Sequence, residues 1–239
     1  MSDDWDALTA ATSARVALAT TGRSIATRDH LAFQLAHAKA RDAVGAPFDV
    51  PALVGQLRRG NRAPVAIRSR APDRKAYLTR PDLGRFLDDD SASRLADLAG
   101  AFDVVFVVAD GLSASAATSG AKALLDAALP LFEADGLRVA PIVVAEGARV
   151  ALGDAVARRI GAELAVIMLG ERPGLSAADS LGLYVTWKPR GNHIDAERNC
   201  ISNVRPGGLS YSDAAHALFR LCCEARRRQA TGIALQDKD

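Results

Sequence analysis

The stretch Ala165–Gly174, AVIMLGERPG, decides the fold class of this 239-residue chain. Its first five residues are apolar without alternation, which is the pattern of a strand covered by helices on both faces. Glycines and a proline then turn the chain, and Glu171 and Arg172 follow the carboxyl end of the strand. Open α/β sheets bind their ligands at that edge, so this loop is either a binding loop or an ordinary solvated connection.

Two more apolar runs repeat the pattern earlier in the chain, Phe102–Ala109 (FDVVFVVA) and Val139–Ala145 (VAPIVVA). Helical spacing fills the intervals, with one helix expected over 113–135, broken or kinked at Pro130, and another over Asp154–Gly161. Strands that alternate with helices imply right-handed crossovers. The sequence therefore predicts an α/β fold with a doubly wound, mainly parallel, Rossmann-like sheet and an N-terminal helical extension.

Shorter elements flank this central unit and are delimited by turn-forming residues and by short apolar runs. They are a polar loop at Thr20–Arg28, a helix over Val50–Leu57, edge strands at Val65–Ile67 and Tyr184–Trp187, a turn-rich segment at Tyr77–Arg85, a helix over 91–99 with Ser91 as N-cap, an irregular polar segment at Pro189–Asn203, and a closing helix over Ser212–Arg228. A long irregular segment in a compact domain is typical of a binding loop or an interface.

The N-terminal part differs in composition from the rest. We expect residues 1–75 to form a helical, arginine-rich region that packs on the main domain or on a partner, and residues 76–239 to form the α/β domain. The segment Arg58–Lys75 contains seven basic residues and a single acid, Asp73. No aromatic residue that could stack on bases lies between Phe48 and Tyr77. A solvated face, or docking on an acidic protein surface or a phosphate, explains this segment better than nucleic acid does.

The bulk composition excludes several classes of protein. The chain carries 30 basic and 28 acidic residues, which predicts no strong global attraction to nucleic acid or to a membrane. No apolar run approaches the roughly 20 residues of a membrane span, and the N-terminus lacks a signal peptide pattern, so the expected location is the cytoplasm. The cysteines are Cys200, Cys222 and Cys223, an odd number that predicts reduced thiols, and the adjacent pair suits the core better than a metal site.

The sequence offers binding loops without catalytic machinery. No nucleophile and base, no pair of carboxylates and no metal-ligand set has a catalytic spacing, and GxGxxG, P-loop, GxSxG and HExxH motifs are all absent. Asp110, with the helix start at Ser113, forms either an anion or hydroxyl site or a simple helix cap. We therefore expect no catalytic residue and no metal ligand, but a subunit that binds a cofactor while a partner performs catalysis.

Five motifs in fixed order make the chain resemble a known family, the small subunit (light chain) of ethanolamine ammonia-lyase, an adenosylcobalamin-dependent enzyme. The resemblance is carried mainly by residues 77–208. The motifs are YLTRPDLGR at Tyr77–Arg85, ADGLS at Ala109–Ser113, GERPGL at Gly170–Leu175, DSL at Asp179–Leu181 and ERNCISNVRPGG at Glu197–Gly208.

The resemblance implies a hetero-oligomer with six copies of this chain and six of a large subunit, with adenosylcobalamin (coenzyme B12) held between the two subunits. The family's cofactor contacts fall on Val150, Glu171 and Cys200. Val150 can offer apolar surface to the corrin, and Glu171 can accept hydrogen bonds from its amide groups or from nucleotide hydroxyls. Cys200 is best interpreted as a packing and main-chain contact, because a thiolate on cobalt would interfere with the adenosyl bond.

The implied reaction converts ethanolamine to acetaldehyde and ammonia by a radical mechanism, a carbon–nitrogen lyase reaction whose catalytic groups belong to the large subunit. The sequence lacks the DxHxxG pattern that supplies a histidine to cobalt, so dimethylbenzimidazole is expected to stay as the lower ligand. Many family members carry an N-terminal segment that targets a bacterial microcompartment, whereas here the likeness begins almost at Met1, so cytoplasm is the expected location and a microcompartment the alternative. The competing hypothesis is a non-catalytic, doubly wound binding or assembly protein without cobalamin.

Overall fold

The computed structural model of the chain describes residues 2–12, 14–16, 18, 20–59 and 63–236. The strands are β1 Thr20–Thr21, β2 Ser24–Ile25, β3 Val65–Arg68, β4 Phe102–Ala109, β5 Val143–Glu146, β6 Ala162–Gly170, β7 Leu181–Trp187 and β8 Asn199–Val204. The α-helices are α1 Ser2–Ala11, α2 Thr27–Gly45, α3 Val50–Gln56, α4 Arg74–Thr79, α5 Asp89–Ala96, α6 Ala114–Ala134, α7 Val150–Ile160, α8 Tyr211–Arg228 and α9 Ile233–Gln236. Two short 3-10 helices, Leu83–Arg85 and Asp195–Glu197, complete the described elements.

Strands β3 to β8 form a six-stranded sheet in the order β3-β5-β4-β6-β7-β8. The first four in that order run parallel, while β7 is antiparallel to β6 and β8 is antiparallel to β7. Helices cover both faces, so the α/β fold with a doubly wound, mainly parallel sheet is confirmed. Strands β1 and β2 form a separate two-stranded ladder in the N-terminal part.

The unbroken apolar runs form strands because both of their faces are buried. Along β4, alternate side chains such as Val104 and Phe106 join a cluster with α6 and α8, whereas Val105 and Val107 join a cluster with α5 and α7 on the opposite face. Seven of the eight residues of this strand are buried. Strict alternation of polar and apolar residues would have placed polar groups in one of these two clusters.

The central elements agree with the sequence-based expectations. Strand β4 has the predicted bounds, and Ser113 caps α6 by accepting a hydrogen bond from the amide of Ala116. Helix α6 continues through Pro130, which lies on its exposed side near the C-terminal end, so a break at this residue is wrong and a kink stays a prediction. The predicted edge strand at Val65–Ile67 and the predicted helices over Val50–Leu57 and Ser212–Arg228 are all present.

The antiparallel end of the sheet was mispredicted. Tyr184–Trp187 belongs to β7, which is an interior strand, because the supposedly irregular segment Pro189–Asn203 contains most of β8. Strand β8 lies at the edge and exposes Cys200, Ser202 and Asn203. An edge strand of this polar composition lacks the apolar alternation from which strands are recognised in a sequence.

Other errors concern where elements begin. Helix α7 begins at Val150, four residues before the predicted start, and β5 begins at Val143 rather than at Val139. Helix α5 is capped by Asp88, which accepts a hydrogen bond from the Ser91 amide at 2.7 Å. The Ser91 hydroxyl instead accepts one from the Arg68 amide at 3.0 Å, so it connects the helix to β3 rather than capping it.

The N-terminal part is attached to the sheet near the end of α2. Ala43 is buried, and the carbonyl of Val44 accepts two hydrogen bonds from the Arg74 guanidinium, at 2.9 and 3.1 Å. Upstream, α1 and α2 expose large apolar side chains, among them Trp5 and Leu31. None of the helices in the described part of the chain combines the length and hydropathy that a membrane span requires.

Candidate functional site

The loop that follows β6 is fixed by close backbone packing against the start of α6. A Cβ atom on Gly170 would lie 1.9 Å from the Ser113 carbonyl oxygen, a distance that no side chain can accommodate. Gly111, at φ 55°, similarly lies against the Gly170 backbone, and the Leu112 amide donates to the Gly170 carbonyl at 2.8 Å. Glycines at both loops therefore let two strand ends approach within backbone contact, which holds the next residue, Glu171, in a defined place.

Glu171 is half-buried, and its two carboxylate oxygens have different environments. Its Oε2 accepts hydrogen bonds from the Ser180 hydroxyl at 2.5 Å and from the backbone amide of Asn203 at 3.2 Å. Its own amide donates to the Ser180 carbonyl at 2.9 Å. Among the residues that the structure describes, no hydrogen bond to Oε1 is found. One oxygen of this carboxylate is held, and the other remains available as an acceptor.

Cys200 lies beside Tyr184, its direct cross-strand partner on β7. Partial burial is the main reason that the pKa of the Cys200 thiol is raised, and the negative charge of Glu171 adds to it. Burial likewise raises the pKa of the Tyr184 phenol, with further contributions from Cys200 and Glu171. Tyr184 packs on the face of the sheet that α7 covers, Cys200 is its cross-strand neighbour, and a Cβ atom on Gly182 would lie within 3.1 Å of both Glu171 and Tyr184, so the three side chains are neighbours.

Val150 lies on that same face, at the first turn of α7. Its side chain is half-buried and packs against the cluster that also contains Tyr184. Helix α7 lies so close to β6 that a Cβ atom on Gly153 would come within 2.9 Å of the Ile167 Cβ, and Ile167 pairs with Tyr184 across the strands. A continuous row therefore runs from the first turns of α7 through β6 and β7 to Cys200 on β8.

The structure thus places the three predicted contact residues on a single face, with Glu171 and Cys200 gathered around Tyr184. Sequence analysis did not identify Tyr184, Ser180 or Asn203 as part of this site. Ser180 is the middle residue of the DSL motif, so one signal was present, but its partner is nine residues away along the chain. Only the pairing of β7 with β8 brings the Asn203 amide to the same carboxylate.

Asp110, directly after β4, does not cap α6, and both oxygens of its carboxylate have partners within the protein. Its Oδ1 accepts from the amides of Gly111 at 3.0 Å and Ala148 at 3.2 Å, and its Oδ2 pairs with Arg74 at 3.2 Å. Burial raises the pKa of this carboxyl to about 6, although the nearby Arg74 charge and the amides lower it. The carboxyl group connects the β4 and β5 loops and is occupied by the protein itself.

The YLTRPDLGR motif supports the loop that leads to Val150. Tyr77 is buried, donates a hydrogen bond to the Ala148 carbonyl at 3.3 Å, and lies under the Arg149 guanidinium at 4.1 Å from the ring centroid. Desolvation raises the pKa of Tyr77 to about 12, so this phenol stays protonated and donates at neutral pH. The Arg149 amide also donates to the Gly84 carbonyl at 2.8 Å, which fixes the residue before α7.

The basic segment Arg58–Lys75 forms several intramolecular ion pairs. Arg59 pairs with Asp126 at 2.5 Å on α6, and Arg74 pairs with Asp110. Further pairs link Arg68 to Glu146 at 3.9 Å and Arg70 to Asp89 at 3.6 Å. Four basic side chains of this segment are therefore paired with acids of the same chain. Arg62 lies outside the described residues.

The described part of the chain shows no candidate metal centre. Within residues 2–12, 14–16, 18, 20–59 and 63–236, no group of three or more histidine, cysteine or acidic side chains could hold an ion. Cys222 is buried in the core between α6 and α8, where burial raises the pKa of its thiol, as expected of a packed, inert cysteine.

Comparison with known proteins gives consistent matches over almost the whole chain. A family model described as ethanolamine ammonia-lyase light chain matches residues 2–236. The ethanolamine ammonia-lyase small subunit of Ralstonia nicotianae is 52% identical over 237 residues, which cover 98% of this chain and 88% of the relative. The small subunits of Azotobacter vinelandii and Pseudomonas fluorescens are 51% and 50% identical over 238 residues, covering 98% of this chain and 88% and 87% of the relatives.

Proposed function

Because the chain belongs to the ethanolamine ammonia-lyase light-chain family, we propose that it binds adenosylcobalamin at the interface with a large catalytic subunit, in a complex with six copies of each. The observation that carries this proposal is the common face formed by Val150, Glu171 and Cys200, with the free Glu171 Oε1 at the carboxyl edge of β6. This is where an open α/β sheet binds its ligands.

The side chains present fit one half of a corrinoid site. A corrin ring is bordered by amide side chains, which donate hydrogen bonds, and Glu171 offers an acceptor with no protein donor assigned to it among the described residues. Val150 and the Tyr184 ring offer partly exposed apolar surface on one face of the sheet, and Cys200 is exposed at the edge of the sheet. A flat surface of this kind needs a second polypeptide to enclose a ligand of that size.

When bound, the cofactor supplies the radical chemistry through homolysis of its cobalt–carbon bond. This chain's own residues bind and orient it: Glu171 accepts a hydrogen bond from the corrin periphery, and Val150 excludes water from its apolar face. The groups that act on ethanolamine would then belong to the large subunit.

Co-expression tests the assignment as a subunit. We expect the large subunit together with this chain to release ammonia from ethanolamine when adenosylcobalamin is added, and the two chains to co-purify with equal numbers of each. Normal activity from the large subunit alone would contradict an essential role for this chain.

A cofactor titration of the complex tests the site. Glu171→Ala should raise the Kd for adenosylcobalamin about 5- to 150-fold, which corresponds to about 1–3 kcal/mol for a lost acceptor. The matched control is Glu146→Ala, because Glu146 is also an acid at the end of a strand but lies on the other side of Asp110, beside Arg68. Equal Kd values for the wild-type and Glu171→Ala complexes would remove Glu171 from the site, and absence of cofactor binding altogether would favour the non-catalytic binding or assembly protein.

A further inference from the structure

The DSL motif and the NVRPGG end of the last motif both contact Glu171. Ser180 is the residue of DSL that reaches it. The Ser180 side chain is 4% exposed, and its hydroxyl donates to Glu171 Oε2 at 2.5 Å. A buried hydroxyl directed at one carboxylate oxygen restricts the rotation of that carboxylate, since any other orientation would leave the hydroxyl without its acceptor.

Asn203 supplies the second donor through an irregularity in the sheet. Opposite Gly182 the pairing of β7 with β8 shifts register, because Leu181 pairs with Val204 whereas Leu183 pairs with Ile201. The extra residue on β8 forms a bulge in which Asn203 adopts a left-handed conformation at φ 59°. In this conformation the backbone amide of Asn203 donates to Glu171 Oε2 at 3.2 Å. Asparagine adopts the left-handed conformation more readily than most residues.

A second layer of polar contacts holds the bulge. Arg205 donates to the Asn203 side-chain oxygen at 3.0 Å and pairs with Asp179 of the DSL motif at 3.8 Å. The Leu209 amide donates to the Asn203 carbonyl at 2.9 Å. Because these contacts join the two ends of the β7–β8 hairpin, Ser180 and Asn203 are held relative to each other.

Gly182 leaves space for the other side of the carboxylate. A Cβ atom at this position would lie 3.0 Å from Glu171 Oε1 and 3.1 Å from both the Glu171 Cγ and the Tyr184 Cε2. A side chain at residue 182 would therefore force the Glu171 or the Tyr184 side chain to shift by a few tenths of an ångström. The carboxylate lies between two donors on one side and a glycine on the other.

We propose that Ser180 and Asn203 are positioning residues that fix Glu171 through Oε2, so that Oε1 faces the cofactor as a pre-oriented acceptor, and that Gly182 keeps the space this requires. The inference rests on the proposed function, because it assigns Oε1 to the cofactor. Pre-orientation matters energetically since a freely rotating glutamate loses side-chain entropy when a ligand binds, and this loss weakens the affinity.

A double-mutant cycle on the complex with the large subunit separates positioning from direct contact. The complexes carry the wild-type chain, Ser180→Ala, Glu171→Ala or both changes, and the Kd for adenosylcobalamin is measured by absorbance titration. Ser180→Ala should raise Kd about five- to tenfold in the wild-type background and change it less than twofold in the Glu171→Ala background. Ser176→Ala, an exposed serine of the same loop, is the matched control and should leave Kd unchanged.

Each deviation from this result has a separate meaning. If Glu171→Ala leaves Kd unchanged, the proposed role of Glu171 is wrong and the positioning inference is wrong with it. If Glu171→Ala weakens binding but Ser180→Ala does not, or if the two effects multiply independently, the cofactor assignment stands and the positioning role is overturned.

Gly182→Ala provides a second test should Ser180→Ala fail to give a folded complex, as judged by co-purification and thermal unfolding. It changes no hydrogen-bonding group, yet it should raise Kd several-fold, and this effect should largely disappear in the Glu171→Ala background. An equal effect of Gly182→Ala in both backgrounds would contradict the inference, because the glycine would then act on something other than Glu171.

Discussion

Asp110 and Glu171 occupy the same kind of position in the sequence but differ in how many of their carboxylate oxygens have partners in the folded protein. Each is an acidic residue directly after a buried strand of the parallel sheet, Asp110 after β4 and Glu171 after β6. Asp110 is 3% exposed, with hydrogen bonds from two amides and an ion pair with Arg74. Glu171 is half-buried and uses only Oε2 within the described protein.

The difference teaches that an acid at a strand end indicates a site only if its oxygens are not consumed by the protein. Asp110 lies where helices leave to opposite faces of the sheet, the usual ligand crevice of such folds. A cavity of about 340 Å³ borders Asp110 there, but both oxygens of its carboxylate already have partners in the protein. Glu171 lies where the sheet changes to an antiparallel hairpin, which leaves one side open. The following predictions test this contrast, in order of decreasing effect.

The largest effect is expected from the glycine that precedes Glu171. Gly170→Ala places a Cβ atom 1.9 Å from the Ser113 carbonyl oxygen and 2.8 Å from the Asp110 carbonyl oxygen, so the two strand ends must separate. We expect a loss of more than about 4 kcal/mol in the free energy of unfolding, measured by chemical denaturation. Gly174→Ala in the same loop is the control, because its Cβ would meet nothing closer than 3.8 Å and should cost less than about 1 kcal/mol.

Asp110→Ala should destabilise the fold by about 2–3 kcal/mol at pH 7. It leaves the buried amides of Gly111 and Ala148 without an acceptor and removes the ion-pair partner of Arg74. Denaturation of the complex measures the loss. The folded fraction should bind adenosylcobalamin with unchanged Kd, and a large rise in Kd would mean that Asp110 also takes part in the cofactor site.

The cost of Asp110→Ala should depend on pH. Burial raises the pKa of Asp110 to about 6 in the folded state, above its value in the unfolded chain, so the folded protein binds the proton more tightly. The stabilisation by this group is complete below about pH 4 and is lost as the pH rises through 6. The difference in unfolding free energy between wild type and Asp110→Ala should therefore be larger at pH 5 than at pH 7 by about 1 kcal/mol. A difference that shrinks on acidification would contradict the raised pKa.

The smallest effect on stability is expected at Glu171. Glu171→Ala removes one acceptor from Ser180 and one from the Asn203 amide, at a half-buried position, and should cost about 1 kcal/mol. Measured by the same denaturation, this loss should stay below that of Asp110→Ala at pH 7, whereas the order reverses for cofactor affinity. If Glu171→Ala proves as destabilising as Asp110→Ala, the contrast between the two acids fails.

Particular residues show which elements and contacts sequence patterns can predict. The bounds of β4 and the start of α6 at Ser113 followed from local patterns, because an unbroken apolar run and a helix start act within one element. Strand β8 was missed, since its polar edge residues form a strand only by pairing with β7. The Ser180 and Asn203 contacts to Glu171 were missed for the same reason. Neither of the two alternatives for Asp110, a ligand site or a helix cap, included its partner Arg74, which lies 36 residues away.

The sequence by itself determined the fold class, the family and the positions of Val150, Glu171 and Cys200 as candidate contacts, because apolar periodicity and ordered motifs are local properties of the chain. The tertiary structure alone decided which acid keeps a free oxygen, that these three residues share one face, and that a bulge in β8 directs the Asn203 amide at Glu171. Burial and hydrogen-bond partners arise when distant segments meet, so no local pattern can specify them.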